Sequence, residues 1–124
     1  MIAFEYAVLR VVPRVERAEF VNAGVIVYSQ KAGYLNAATR VDGDRLRALD
    51  PEADVEAITA AVEAYARACA DPDTAGPVGA TAIGERFRWL TAPRSTIVQT
   101  GPVHAGLTDD PAGELDRLLR RLVL

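Results

Sequence analysis

Two apolar runs separated by a short polar segment open this sequence, and they restrict the possible folds most strongly. The first run, residues 2–12, is rich in β-branched and aromatic residues and ends before Pro13, and the second covers residues 20–29. Runs of this composition, bounded by a proline and a polar turn, predict the two strands of an antiparallel hairpin. A shorter run at residues 33–39 follows the next turn, so we expect a three-stranded meander.

Two later segments carry the signature of amphipathic helices. Asp50 and Pro51 provide an N-cap and a proline at the first helical position, ahead of apolar residues that recur every three or four positions as far as Cys69. Asp110 and Pro111 repeat this signature before a leucine-rich stripe at the end of the chain. We therefore expect one helix in the middle of the chain and one at its end.

The region between those helices is less regular. Apolar residues at helical spacing predict a further helix within residues 78–90, after a loop dense in proline and glycine. Residues 96–99 predict a short fourth strand, and residues 101–108 are interpreted as a loop.

The order of these elements predicts an α+β fold. Strands and helices do not alternate strictly, so we expect an antiparallel sheet of three to four strands, built on the N-terminal meander and packed with two to three helices. A chain of 124 residues can bury a sizeable core without disulfides or metal. No repeat or low-complexity linker interrupts it, and residues 1–124 are predicted to form a single domain.

Composition excludes several classes of function. The 14 Lys and Arg residues against 17 Asp and Glu residues leave a net charge of −3, which disfavours non-specific binding to nucleic acid. Glu5 and Arg10 interrupt the N-terminal apolar run, and no stretch approaches the roughly 20 apolar residues of a membrane span. The single cysteine, Cys69, excludes an intrachain disulfide, and we expect a cytoplasmic protein.

Three polar residues occupy positions where the predicted strands would normally hold valine or isoleucine. A turn near residues 15–16 places Val12 opposite Glu19 and brings Arg10 close to Asn22. An Arg10 held by Glu19 would keep spare donors for a carboxylate or phosphate on a ligand or partner. In the same interpretation, Gly24 would let another backbone approach closely. In the alternative interpretation, Arg10 and Glu19 only neutralise each other, Asn22 caps a turn, and Gly24 marks a bulge.

A second polar group lies between the third helix and the fourth strand. Arg94, Ser95 and Thr96, with their consecutive backbone amides, are suited to an anion, although the segment lacks the glycines of a phosphate loop. The alternative is that the two hydroxyl residues end the helix or begin the strand and that Arg94 covers Trp89.

The usual catalytic and metal-binding patterns are missing from the sequence. His104 is the only histidine, and a hydrolytic triad would require it to meet Ser29 or Ser95, neither of which lies in a Gly-x-Ser-x-Gly motif. The pair Asp42 and Asp44 lacks the glycine and glutamate spacing of a calcium loop. We therefore predict no metal site and no cofactor.

A set of spaced motifs resembles a known bacterial family, the domain of unknown function 3037 (DUF3037). The resemblance covers nearly the whole chain, and its motifs are Tyr6-x-x-x-Arg10-x-x-Pro13, Glu19-Phe20-x-Asn22-x-Gly24-Val25, Pro93-Arg94-Ser95-x-Ile97-x-Gln99 and Asp110-Pro111. It implies a small single-domain bacterial protein without an assigned reaction. It also implies a gene neighbourhood beside HipA-like kinases, and hence a HipA-like kinase as a possible partner.

Two hypotheses on function follow. In the first, the protein is a non-catalytic interaction or regulatory module that presents Arg10, Glu19, Asn22, Arg94 and Ser95 to a protein partner. In the second, it is a small enzyme or binding domain for a phosphorylated or nucleotide-like ligand, with Arg10 and Arg94 as anion clamps and Glu19 as acid or base. Both hypotheses require these side chains to share one surface.

Overall fold

The computed structural model describes residues 1–70 and 82–124, and these residues form five β-strands and four α-helices. A single 3₁₀ turn, Val15–Arg17, lies between the first two strands. In chain order, the elements are β1 (Ile2–Val11), β2 (Val21–Ser29), β3 (Tyr34–Thr39), α1 (Gly43–Leu49), α2 (Val55–Ala70), α3 (Ile83–Leu90), β4 (Val98–Thr100), β5 (His104–Thr108) and α4 (Pro111–Leu122).

All five strands belong to one antiparallel sheet, with β1 and β2 at its centre. The sheet order is β3-β2-β1-β4, and β5 also pairs with β1. β4 lies beside the end of β1, at Leu9 to Val11, and β5 lies beside its beginning, at Ile2 to Tyr6. The predicted α+β class and N-terminal meander are confirmed.

The sheet has one strand more than predicted. Residues 104–108, interpreted from the sequence as loop, form β5 because the first half of β1 offers them an unpaired edge. Four of these five residues are at least partly exposed, so the segment lacks the alternating apolar pattern that identifies a strand. The fourth strand was predicted at residues 96–99 and is found at Val98–Thr100.

The predicted middle helix is present, but a short helix precedes it. The Asp42 carboxylate accepts hydrogen bonds from the amides of Asp44 and Arg45 and so caps α1, which the sequence reading missed. Asp50 lies at the C-terminal end of α1, and α2 begins only at Val55. The cap signature at Asp50 was therefore assigned one turn too early, because the Asp54 side chain accepts from the Ala57 amide.

The other two helices agree with the sequence reading. α3 occupies Ile83–Leu90, and the predicted residues 78–81 lie outside the part that the structure describes. α4 begins at Pro111 with Asp110 as its N-cap residue, and Leu115 and Leu118 of its apolar stripe are buried.

The sheet is covered on both faces. Along a strand, successive side chains point to opposite faces. Phe4, Val25 and Val27 pack against α4 on one face, which we call the α4 face. Residues such as Leu9, Ile26 and Val11 pack against α1, α2 and α3 on the other, the α2 face. Within residues 1–70 and 82–124, no helix is long and apolar enough to cross a membrane.

Candidate functional site

A β-bulge in β2 sets the position of the polar residues in the central hairpin. Leu9 pairs with Gly24, but the next residue, Arg10, pairs with Asn22, so Ala23 is the extra residue. An unbroken register would have placed Asn22 opposite Val11, on the buried α2 face. The bulge instead turns the Asn22 side chain to the α4 face, beside Arg10.

Gly24 is required at this bulge. A Cβ atom at Gly24 would lie 2.8 Å from the backbone oxygen of Ala38 on β3 and 3.2 Å from Cδ1 of Leu9. The residue therefore permits the close backbone approach suggested by the sequence, and the approaching backbone is that of the neighbouring strand.

Three polar residues form a row across three strands. Arg10 is the direct partner of Asn22 on β2 and of Gln99 on β4, so all three side chains lie on the α4 face. Phe20, just before β2, lies beside them: the Arg10 guanidinium carbon is 4.6 Å from the centre of its ring. We call Arg10, Phe20, Asn22 and Gln99 the Arg10 patch.

Arg10 is half-buried, and its guanidinium forms no hydrogen bond or ion pair with the other residues that the structure describes. Its Nε atom is enclosed, and no hydrogen-bond acceptor reaches it within the described residues. Within the same residues, the Arg10 side chain makes no ion pair or hydrogen bond, and its contact is the aromatic ring of Phe20. The two terminal nitrogens of the guanidinium are not among the enclosed atoms, so their four donors form a fixed fork that is available to a planar anion.

The two amides of the patch are anchored at one end only. Asn22 Nδ2 donates to the backbone oxygen of Leu122 at 3.0 Å, which ties the patch to the end of α4. Gln99 Nε2 donates to the backbone oxygen of Thr96 at 2.6 Å. Among the residues that the structure describes, neither amide oxygen has a hydrogen-bond partner, so each remains an acceptor on the same face as Arg10. The row therefore has the Arg10 donors in the middle and an amide oxygen acceptor on each side, from Asn22 and Gln99.

Glu19 does not hold Arg10. Its carboxylate accepts from Nε of Arg17 at 2.5 Å, and this hydrogen bond lowers the pKa of the Glu19 carboxyl. Both partners are exposed. Arg17 is the last residue of the 3₁₀ turn and lies only two residues before Glu19, within reach of its carboxylate, whereas the sequence analysis had paired Glu19 with Arg10. Arg10 and Asn22 are therefore together, whereas Glu19 is paired with Arg17.

Arg94 lies on the opposite face of the sheet. Its guanidinium donates to the backbone oxygens of Leu90 at 2.9 Å and Trp89 at 2.8 Å, and to the hydroxyl of Tyr65 at 3.2 Å. It also stacks over the Trp89 ring at 4.6 Å. The hydrogen bonds satisfy the last carbonyls of α3, so Arg94 caps that helix. Its position over Trp89 agrees with the alternative interpretation.

Ser95 is also away from Arg10. It is exposed at the margin of a cleft between the beginning of α2 and the segment before β4. The structure therefore brings Arg10 and Asn22 together but does not join them to Arg94 and Ser95.

The remaining candidates for chemistry are engaged in packing. The exposed His104 ring lies 5.1 Å from the ring of Tyr6, and the Ser29 hydroxyl donates to the backbone oxygen of Ala3 at 2.9 Å. Burial raises the pKa of the Cys69 thiol to about 12. No group of three histidine, cysteine or acidic residues suited to a metal ion occurs in residues 1–70 and 82–124.

Phe20 and Gln99 are members of the patch that the sequence reading did not select. Both fall within the motifs quoted above, which was the signal that could have identified them. Neither is charged, and their significance comes from their distance to Arg10, which depends on strand register.

Comparison with known proteins identifies a family for this chain. The profile of a family described as "Protein of unknown function (DUF3037)" matches residues 6–123. Neither the curated proteins nor the solved structures gave a significant match to this chain.

Proposed function

This chain belongs to the DUF3037 family, and we propose that it is a non-catalytic interaction module that binds a carboxylate of a partner protein through the Arg10 patch. The observation that carries the proposal is the half-buried Arg10 guanidinium, which has no acceptor among the described residues. A partly desolvated cation without an acceptor is unfavourable alone and strengthens a contact with an incoming anion.

The composition of the Arg10 patch supports a protein partner. Phe20 is 48 % exposed and lies against the guanidinium, so it holds the side chain in place and offers apolar area beside the charge. Arginine and aromatic residues dominate the binding energy of many protein interfaces. The free amide oxygens of Asn22 and Gln99 add acceptors for the backbone or side chains of the partner.

Co-purification with a HipA-like kinase from the native host tests this function, because the family resemblance implies that partner. We expect tagged wild-type protein to retain the kinase. Arg10→Ala should lose it, and Arg10→Lys should weaken it by about tenfold or more, since an ammonium cannot form the paired hydrogen bonds.

Arg67→Ala is the matched control. Arg67 is exposed on α2, on the other side of the sheet, and alanine suits a helix, so this variant should bind as the wild type does. Equal retention by the Arg10 and Arg67 variants, or recovery of the wild-type protein alone from its host, would contradict the proposal.

A second candidate is a binding domain for a phosphorylated or nucleotide-like ligand, since the Arg10 fork also fits a phosphate. This candidate rests on Arg10 alone, because Arg94 caps α3 on the opposite face. A thermal-shift screen with nucleotides and sugar phosphates tests it. A ligand at 100 times its Kd should add about 2.7 kcal/mol to the free energy of unfolding, and no shift with any of them excludes this candidate.

A further inference from the structure

An apolar cleft of about 800 Å³ lies on the α2 face, away from the Arg10 patch. Its floor contains Ile58 and Val98, which also belong to a buried cluster beneath α2. Val15 and Ile97 stand at its mouth and remain 41 % and 44 % exposed. The volume and the apolar lining match those of sites that bind organic ligands and peptide side chains.

The cleft extends along α2 because that helix presents small residues there. Ala57 and Ala61, one turn apart, line it and are exposed. The side chains of both residues are single methyl groups, so an incoming chain can approach the helix closely. The exposed positions of Val15 and Ile97 leave the cleft open along one side, which suits a polypeptide segment better than an enclosed small molecule.

One end of the cleft is acidic. Asp50, Glu52 and Asp54 line it just before α2. Asp50 is paired with Arg14 at 3.3 Å, and Asp54 caps the Ala57 amide. Within the described residues, the Glu52 carboxylate makes no hydrogen bond or ion pair. Three carboxylates against one arginine leave an excess of negative charge beside an apolar floor, which is complementary to a basic residue flanked by apolar ones.

We propose that this cleft is a second binding surface, which takes a peptide segment of a partner protein with an apolar anchor and an adjacent lysine or arginine. The anchor packs against Ile58 and Val98, and the cationic group lies beside Glu52. The Arg10 patch selects a carboxylate and the cleft selects a cation, so the two surfaces recognise opposite charges on opposite faces of the sheet.

Selection from a phage-displayed library of random dodecapeptides on the intact chain tests the proposal. The library is first depleted on the Ala61→Arg variant, which fills and charges the cleft, so that peptides binding elsewhere are removed. We expect the remaining binders to combine aliphatic or aromatic residues with lysine or arginine. Failure to enrich any peptide, or enrichment of peptides without basic residues, would overturn the proposal.

The binding site of a selected peptide is located by comparing its affinity for the wild type with its affinity for cleft variants, measured by fluorescence anisotropy. Ala61→Arg and Ile97→Ser should each weaken binding by about tenfold or more, and Glu52→Gln by a smaller factor that falls with added salt. Ala60→Arg is the matched control, since Ala60 is an exposed alanine of α2 outside the cleft, and it should bind like the wild type.

Two further measurements discriminate between occupants. Arg10→Ala should leave peptide affinity unchanged, and a loss in that variant would overturn the assignment to the cleft. Sedimentation measures the oligomeric state of the wild type and of Ala61→Arg over a range of concentrations. We expect no wild-type dimer that is lost in the Ala61→Arg variant. Such a dimer would identify a second copy as the occupant and would also overturn the proposal.

Discussion

At the scale of single residues, burial determines the reactivity of the Cys69 thiol. Its side chain is 3 % exposed within the cluster beneath α2 and α3, and burial raises its pKa to about 12 from an ordinary value of 9.0. The thiolate is the reactive form of cysteine, so this residue has little of it at neutral pH. The single cysteine of the chain therefore serves packing.

We expect Cys69 to resist modification by a disulfide reagent at pH 8 in the native protein and to react rapidly in denaturant. Because the folded pKa is raised, the contribution of this thiol to the free energy of unfolding is complete below pH 9 and is lost as the pH rises towards 12. Fast labelling of the native protein, or stability that rises over that pH range in the wild type relative to Cys69→Ala, would contradict the burial.

Phe87 is the largest fully buried side chain and anchors α3 to the sheet. Its ring stacks on Tyr28 at 5.0 Å between centres. Phe87→Ala should lower the free energy of unfolding by about 3–5 kcal/mol, because it removes a fully buried ring and leaves a cavity. Denaturant titration measures this loss. Trp89→Ala, on the same helix but 54 % exposed, is the control and should lose clearly less.

At the scale of elements, the β2 bulge depends on a residue without a side chain. Gly24→Ala would force a methyl group against the Ala38 oxygen at 2.8 Å, and the two strands would have to separate. We expect a loss of about 1–3 kcal/mol in the free energy of unfolding, measured by denaturant titration.

Gly101→Ala provides the comparison for that variant. A Cβ atom there meets its nearest neighbour at 3.6 Å, an ordinary contact, so its stability should equal that of the wild type or exceed it slightly. Equal stability of Gly24→Ala and Gly101→Ala would show that the bulge tolerates a side chain.

The elements that the sequence predicted well are those with a strong local signal. The strands β1 and β2 are recognisable from their apolar runs. The start of α4 is recognisable from its N-cap residue and Pro111. β5 has no such signal, since its pairing with β1 is decided by tertiary contact. α1 was missed because Asp42 was considered as a calcium ligand and no helix was predicted after it.

The candidate site was predictable only in part, for the same reason. Arg10 and Asn22 are close in a hairpin, and their pairing follows from the turn between them. The separation of Arg94 from Arg10 depends on which face α3 covers, and strand periodicity alone does not specify this. Local sequence therefore locates polar residues, whereas the packing of helices decides which of them share a surface.

For the whole molecule, the central hairpin connects all the buried clusters described. The cluster under α4 includes Phe4 and Val25, that under α3 includes Leu9 and Ile26, and the third includes Val11 and Ala23. No cluster can be removed without exposing β1 or β2. We therefore expect one cooperative folding unit, in line with the predicted single domain.

Urea unfolding should accordingly give one transition, with the same midpoint by far-ultraviolet circular dichroism and by Trp89 fluorescence. Trp89 fluorescence reports on α3, whereas circular dichroism reports on the whole backbone. The two signals therefore follow the unfolding of different parts of the molecule. Separate midpoints would show that the α3 region unfolds independently of the sheet.

The bulge in β2 compensates for the extra residue Ala23. Removing Ala23 would place Asn22 next to Gly24 and leave it opposite Arg10 in a ladder without a bulge, with both side chains still on the α4 face. The pairing of the arginine with the amide would therefore survive this one-residue deletion, and the deletion would change only the local bend and twist of β2.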